Sequence, residues 1–207
     1  MNVTNFNLPF SDSTIEAIAV KQILPELKLS GDIYLDLIED VVSQQLSGKV
    51  ATVIFNRFLN LFPNRYPVPQ VLDHMAIEEL RSVGLSNSKA LYVKNIAHFS
   101  LTEDITFIHI NSLSDEEIVS LLTRIKGVGV WTAQMVLIFS LNRPDVFPIG
   151  DLAIQQGMKS LYGLNKTGKE LFSKLKSISN HWKPHRTIGT RYVWLHVNML
   201  KEQKVRY

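Results

Sequence analysis

Two features of the 207-residue chain can carry chemistry: a glycine-pinched turn, Ile125-Lys126-Gly127-Val128-Gly129-Val130-Trp131-Thr132-Ala133, and a carboxylate further on, Asp151 in Phe147-Pro148-Ile149-Gly150-Asp151. Gly127 and Gly129 admit positive φ and remove side chains, so consecutive backbone N–H groups, Val128 included, can point outward as a nest for an anion. A helix opening near Trp131 adds its positive dipole end to the same spot. A nucleic-acid phosphate is the natural guest, with Lys126 or Lys49 adding charge. The same glycines also suit a plain αα-hairpin in which two helices turn back on each other. The longer flanking pattern, an apolar helix before and Trp-Thr-Ala with a second apolar helix after, favours the phosphate reading. Asp151 precedes Leu152-Ala153-Ile154, so on local grounds it is a helix N-cap. A carboxylate held rigidly at a helix start can also stabilise positive charge that develops in a reaction, or orient a water.

Composition narrows the chemistry. The absence of cysteine excludes disulfides, thiolate zinc, iron–sulfur clusters and a cysteine nucleophile, although histidines could still ligate metal. A formal charge of +3 is compatible with a polyanionic partner without demanding one. At 45% hydrophobic, the chain can bury a core as one domain or as two packed lobes. Met1 to Phe6 lack a basic region followed by an apolar run, and the greasiest stretch, Ala133 to Leu141, is too short to span a bilayer. The expectation is no membrane association and a cytoplasmic location, with no basic cluster marking nuclear import. There is no internal repeat, low-complexity segment or dinucleotide-binding glycine pattern.

The elements that must position these residues read as helices throughout. Ser13-Thr14-Ile15-Glu16 is a capping box for a first helix, and Ser114-Asp115-Glu116-Glu117 is a second one, opening the helix that runs into the glycine turn. Apolar spacing predicts helices from Ile33 to the Gln44–Gly48 region, from Val50 towards Pro63, and at 70–75, 77–83 and 88–98. Ile105 to Ile110 is β-branched, but a single strand has nothing to pair with, so an extended linker is expected. Trp131 to Leu141 is apolar all round, as in a helix buried between lobes. Further helices are expected from Asp151, over 168–178, and from Pro184 at a first turn to about Leu200. The fold class is all-α.

Val42-Ser43-Gln44-Gln45-Leu46-Ser47, the hairpin, Arg143-Pro144-Asp145-Val146-Phe147-Pro148-Ile149-Gly150-Asp151 and His181-Trp182-Lys183-Pro184-His185-Arg186 together resemble the helix-hairpin-helix (HhH-GPD) DNA glycosylase superfamily. Within it the chain looks most like the 3-methyladenine DNA glycosylase II (AlkA/MAG-like) branch, over roughly Ile33 to Leu200. The resemblance implies a two-lobed helical core without the N-terminal β domain of larger AlkA proteins. One lobe would span approximately 31–127, the other 1–30 plus 128–207.

It further implies a monofunctional enzyme that excises alkylated purines, 3-methyladenine and 7-methylguanine, from double-stranded DNA by base flipping in base excision repair. Asp151 matches the catalytic aspartate. Strand-cutting members carry a Schiff-base lysine two residues after the second hairpin glycine, and here that position is Trp131. Trp131 and Trp194 match aromatic pocket positions, where a π face favours a cationic alkylated base, although core packing is the plain alternative for either tryptophan. Met135 and Leu152 stand where bacterial AlkA has tyrosines, making the pocket less polar. Gln45, with Leu46 or Ser47 beside it, matches the wedge that fills the space left by the flipped nucleotide, the alternative being ordinary capping of a helix end. Lys126, Gly127, Val128 and Gly129 match the DNA-binding hairpin. Main-chain carbonyls of Thr123, Ile125 and Val128 match its monovalent-cation site, with no other cofactor implied. A monomer is expected, working in the cytoplasm or nucleoid of a prokaryote or the nucleus of a eukaryote. Alternative readings are a non-catalytic binder of damaged DNA, a strand-cutting glycosylase and a helical scaffold with a coincidental turn.

Overall fold

The computed structural model describes residues 8–205; the Met1–Phe6 stretch read above for a leader lies outside them. The described residues form α1 Ser13–Ala19, α2 Ile33–Ser43, α3 Gly48–Leu59, α4 Pro69–His74, α5 Ile77–Ser82, α6 Asn87–Thr102, α7 Phe107–Ser112, α8 Asp115–Leu122, α9 Val130–Met135, α10 Leu152–Tyr162, α11 Gly168–Asn180 and α12 Arg186–Val205. A 3₁₀ turn covers Pro63–Arg65 and a π-helical turn Val136–Ser140. No strand occurs among the described residues, and none of their helices is long and apolar enough to cross a membrane.

The chain divides into two compact units, one of residues 28–141 and one of 1–27 with 142–207. The hairpin's second helix, α9, therefore belongs with the internal unit, whereas the sequence reading assigned everything from 128 onward to the terminal lobe. The reason is α2, whose packing partners include α9 and the π turn as well as α3 and α6.

In the internal unit, α2 is the central element. Asp32 caps it by accepting from the Leu35 N–H at 3.0 Å, and Leu37, Ile38, Val41 and Val42 are fully buried. Each such side chain contributes roughly 1.5–3 kcal/mol of burial. Their spacing covers one continuous side of α2, which is why so many neighbours pack on it.

The terminal unit is built around Trp182, fully buried between Phe10, stacked at 5.9 Å, and Phe147, edge-on at 5.9 Å. Gly189 on α12 lets that helix approach the indole, since a Cβ there would lie 2.3 Å from Trp182 Cε3. The Trp182 indole N–H and the Tyr162 hydroxyl both donate to Asp12 Oδ2 at 2.8 Å. The other oxygen, Oδ1, accepts from the Thr14 and Ile15 N–H groups and caps α1. Burial, with the Asp12 carboxylate adding to it, pushes the Tyr162 hydroxyl well above its ordinary range.

Several local expectations change. The cap of α1 is Asp12 rather than the Ser13 box, because a carboxylate anchored by Trp182 and Tyr162 is the stronger acceptor at a helix N-terminus. The box at Ser114 forms with both of its reciprocal bonds. The stretch read as an extended linker contains α7, with Thr106 as its cap and Ile110 fully buried; burial of that one anchor overrides β propensity. Pro184 follows a cis Lys183–Pro184 bond and precedes α12 instead of lying in its first turn. The segment from Trp131 is not buried all round. Leu141 N bonds to Val136 O, an i→i+5 spacing that widens the turn, and Trp131 and Phe139 stay exposed while Thr132, Ala133, Met135, Val136, Leu137 and Ile138 are buried.

Candidate functional site

In the internal unit, the turn between α8 and α9 is shaped by α6. Gly127 has φ +108°, and a Cβ on it would fall 2.2 Å from Tyr92 Cγ. Both the left-handed backbone and the close approach of Tyr92 therefore require glycine. Gly129 differs from the expectation: its φ is −96°, an ordinary extended value, and a Cβ there would meet nothing within 4 Å. Ile125 and Val128 are buried anchors, tied by Val128 N to Ile125 O at 3.0 Å. Asn95 on α6 donates to the Lys126 carbonyl at 2.9 Å, while the Lys126 side chain is exposed. Gly129 starts α9 without a side-chain cap, so the dipole end of the helix is open to an incoming anion.

The main-chain carbonyls of Thr123, Ile125 and Val128 follow the end of α8, where no next helical turn supplies N–H groups. Neutral oxygens of this kind suit a monovalent cation, although the Ile125 carbonyl also accepts the Val128 N–H. Elsewhere, His181 and His185 stand four apart but lie on either side of the Lys183–Pro184 turn. No group of three His, Asp or Glu able to hold a metal occurs among the described residues.

The α2–α3 connection carries Gln45 and Ser47, both exposed. Gln45 sits at φ +59°, a left-handed conformation that an L-residue adopts at some cost. Lys89 on α6 holds the end of α2 by donating to the Val42 carbonyl at 2.7 Å and the Gln44 carbonyl at 2.6 Å, and burial pushes its ammonium below the ordinary lysine range. Gln44 Nε2 donates to Thr132 Oγ1 on α9 at 3.3 Å. These bonds were invisible in the sequence, since both partners are ordinary surface residue types far apart along the chain. Of the base-pocket candidates in this unit, Trp131 is exposed on the first turn of α9, and Met135 is buried one turn further.

In the terminal unit, Asp151 caps α10. Its Oδ1 accepts from the Ile154 N–H at 2.8 Å and from the Trp194 indole N–H at 3.4 Å. The structure thus brings Asp151 and Trp194 together, and leaves Leu152 beside them 71% exposed. Asp151 is reached by a tight path, with Ile149 N on Phe147 O and Asp151 N on Pro148 O, both at 2.9 Å. Gln155 Nε2 holds the Ile149 carbonyl.

At the other end of this path Arg186 grips Asp145 through Nε to Oδ1 at 2.7 Å and Nη2 to Oδ2 at 2.9 Å. Burial pushes the Asp145 carboxyl up, but the Arg186 hydrogen bonds and charge outweigh it and hold it below the usual carboxylate range. A folded-state pKa below the unfolded value of about 3.9 means the pair stabilises the fold above that pH and loses its contribution as pH falls through the lower value. The melting-temperature gap between wild type and Asp145→Asn is therefore expected to narrow below about pH 4. A gap unchanged down to about pH 2.5 would contradict this linkage.

The family model of the HhH-GPD superfamily base excision DNA repair protein matches residues 38–181. The chain is 40% identical over 163 residues to DNA-3-methyladenine glycosylase 1 of Schizosaccharomyces pombe, covering 78% of this chain and 71% of that protein. Among solved structures, a Schizosaccharomyces pombe 3-methyladenine DNA glycosylase in complex with abasic DNA is similar with a TM-score of 0.79 at 35% identity, over 88% of each chain. A DNA-3-methyladenine glycosidase from Bacillus halodurans is similar with a TM-score of 0.77 at 29% identity, over 92% of this chain and 87% of that one.

Proposed function

We propose that this chain, which belongs to the HhH-GPD superfamily of base excision DNA repair proteins, is a monofunctional DNA-3-methyladenine glycosylase. It binds duplex DNA and releases alkylated purines, 3-methyladenine and 7-methylguanine, as free bases. The observation that carries the reading is the Asp151 carboxylate, bonded at a helix start to the Ile154 amide and the Trp194 indole, in a chain 40% identical to a protein of that name.

Cleaving the bond between base and deoxyribose builds positive charge on the sugar, and a fixed carboxylate stabilises that charge without reorganising. Water then completes the sugar, leaving an abasic site. Asp151 orients that water or takes its proton. Trp194 holds the carboxylate through its N–H and offers a π face to a cationic base. Trp131 is a second aromatic candidate for the same role, with Met135 and Leu152 the apolar candidates. Methylation at N3 or N7 makes the base a good leaving group, so recognition of its charge is enough. Trp131 occupies the position of the Schiff-base lysine, which leaves no amine there to cut the strand.

Lys126, Gly127, Val128 and Gly129 hold a DNA phosphate at the start of α9. The Thr123, Ile125 and Val128 carbonyls would hold a monovalent cation, supplying positive charge towards that phosphate. The protein works as a monomer in whichever compartment holds the DNA.

Gln45, exposed on a left-handed backbone, is the wedge, with Ser47 beside it. Gln45→Ala is expected to slow base release roughly tenfold in single turnover on duplex while sparing single-stranded substrate, since only duplex must be unstacked. Equal effects on both would remove the wedge role. The reading as a whole is tested by incubating the protein with methylated duplex and separating free bases by chromatography. Released 3-methyladenine with intact, abasic strands is expected. Retained DNA binding with no base released would favour a damage-binding protein instead.

A further inference from the structure

We propose that Thr187 and Thr190 of α12 are positioning residues for Asp151. The segment 142–151 has no helical or sheet ladder of its own, so something else must set its path. That something is one face of α12. The Thr187 hydroxyl donates to the Arg143 carbonyl at 2.6 Å and accepts from the Val146 N–H at 3.0 Å, and the Thr187 N–H reaches the Pro144 carbonyl. One turn on, the Thr190 hydroxyl donates to the Val146 carbonyl at 3.1 Å. Both threonines are buried.

Another turn on, Trp194 meets the Asp151 carboxylate itself. Residues 187, 190 and 194 share one side of the helix by their i, i+3, i+7 spacing. A single rigid element thus holds the approach to the carboxylate at its beginning and the carboxylate at its end, with Gln155 closing the turn between them. Losing the Thr187 hydroxyl strands the buried Val146 N–H and the part-buried Arg143 carbonyl and frees the path, and a displacement of about 1 Å at a reacting group costs on the order of 10²-fold in rate.

This inference rests on the assignment of Asp151 to base release. The test is single-turnover release of 3-methyladenine at 25 °C by wild type, Thr187→Val, Thr187→Ser and Thr190→Val, together with damaged-duplex affinity and melting temperature. Thr187→Val is expected to lose about ten- to a hundredfold in rate with affinity unchanged, and Thr187→Ser to recover most of it by restoring the hydroxyl. Thr190→Val, which breaks one bond rather than two, is expected to fall between, and it carries the comparison where Thr187→Val does not fold. A merely structural role would lower melting temperature without changing the rate well below the transition, and that result overturns the proposal. So does a rate loss that serine fails to rescue. Wild type releasing no base would instead strike the glycosylase reading, so the two failures are distinguishable.

Discussion

Asp151→Asn is expected to slow the release of 3-methyladenine and 7-methylguanine from methylated duplex by on the order of 10²-fold or more, while melting temperature and duplex affinity stay close to wild type. The substitution separates the two roles available to this residue. Asparagine is as good an N-cap as aspartate, and its side-chain oxygen can still accept from the Ile154 N–H and the Trp194 indole, the two bonds that Oδ1 accepts in wild type. On the proposed mechanism, the variant lacks a charge to face the developing sugar cation and a group to take a proton from water. Chromatography of released bases, alongside a thermal melt, measures both sides. A rate within about threefold of wild type would reduce Asp151 to a cap, because stabilisation of transition-state charge by a fixed group is worth far more than that.

Gly127→Ala carries the second large effect, and here it falls on the fold first. The added Cβ would lie 2.2 Å from Tyr92 Cγ and 2.6 Å from Tyr92 Cβ, with the backbone at φ +108°. Tyr92 Cβ is fixed to the α6 backbone, so no rotamer change relieves the 2.6 Å contact. Left-handed strain of about 1–2 kcal/mol and overpacking of about 1–3 kcal/mol add up to a melting temperature lower by roughly 5–15 °C. DNA affinity is expected to fall for damaged and undamaged duplex alike. Gly129→Ala is the partner experiment, since its φ is ordinary and the space beside it is open. Its melting temperature is expected to stay within about 2 °C of wild type while affinity drops, the methyl group intruding only on an incoming phosphate. Unchanged affinity in Gly129→Ala would remove the phosphate role from the hairpin.

Much of the helical order was legible because its signals are local. The box at Ser114, the cap at Asp151 and the apolar side of α2 each depend on residues within a turn or two of one another. The errors share the opposite character. Asp12 replaces Ser13 as a cap because Tyr162 and Trp182 anchor it from the far end of the chain. The helix at Phe107–Ser112 exists because Ile110 finds a buried position. Gly127 and Gly129 are the same residue type, yet of the two only Gly127 takes a positive φ.

The helical class, the glycine turn, the carboxylate at a helix start and the absence of a lysine beside the hairpin are all legible in the chain. All of these follow from residue type and short-range spacing. What holds them in place comes from packing: Tyr92 and Asn95 behind the hairpin, Lys89 beneath the Gln45 loop, and Thr187, Thr190 and Trp194 along the path to Asp151. The physical reason is that a hydrogen bond or a close approach between residues dozens of positions apart leaves no periodicity in the chain. It arises only when packed helices bring those backbones within about 3 Å of a donor or acceptor.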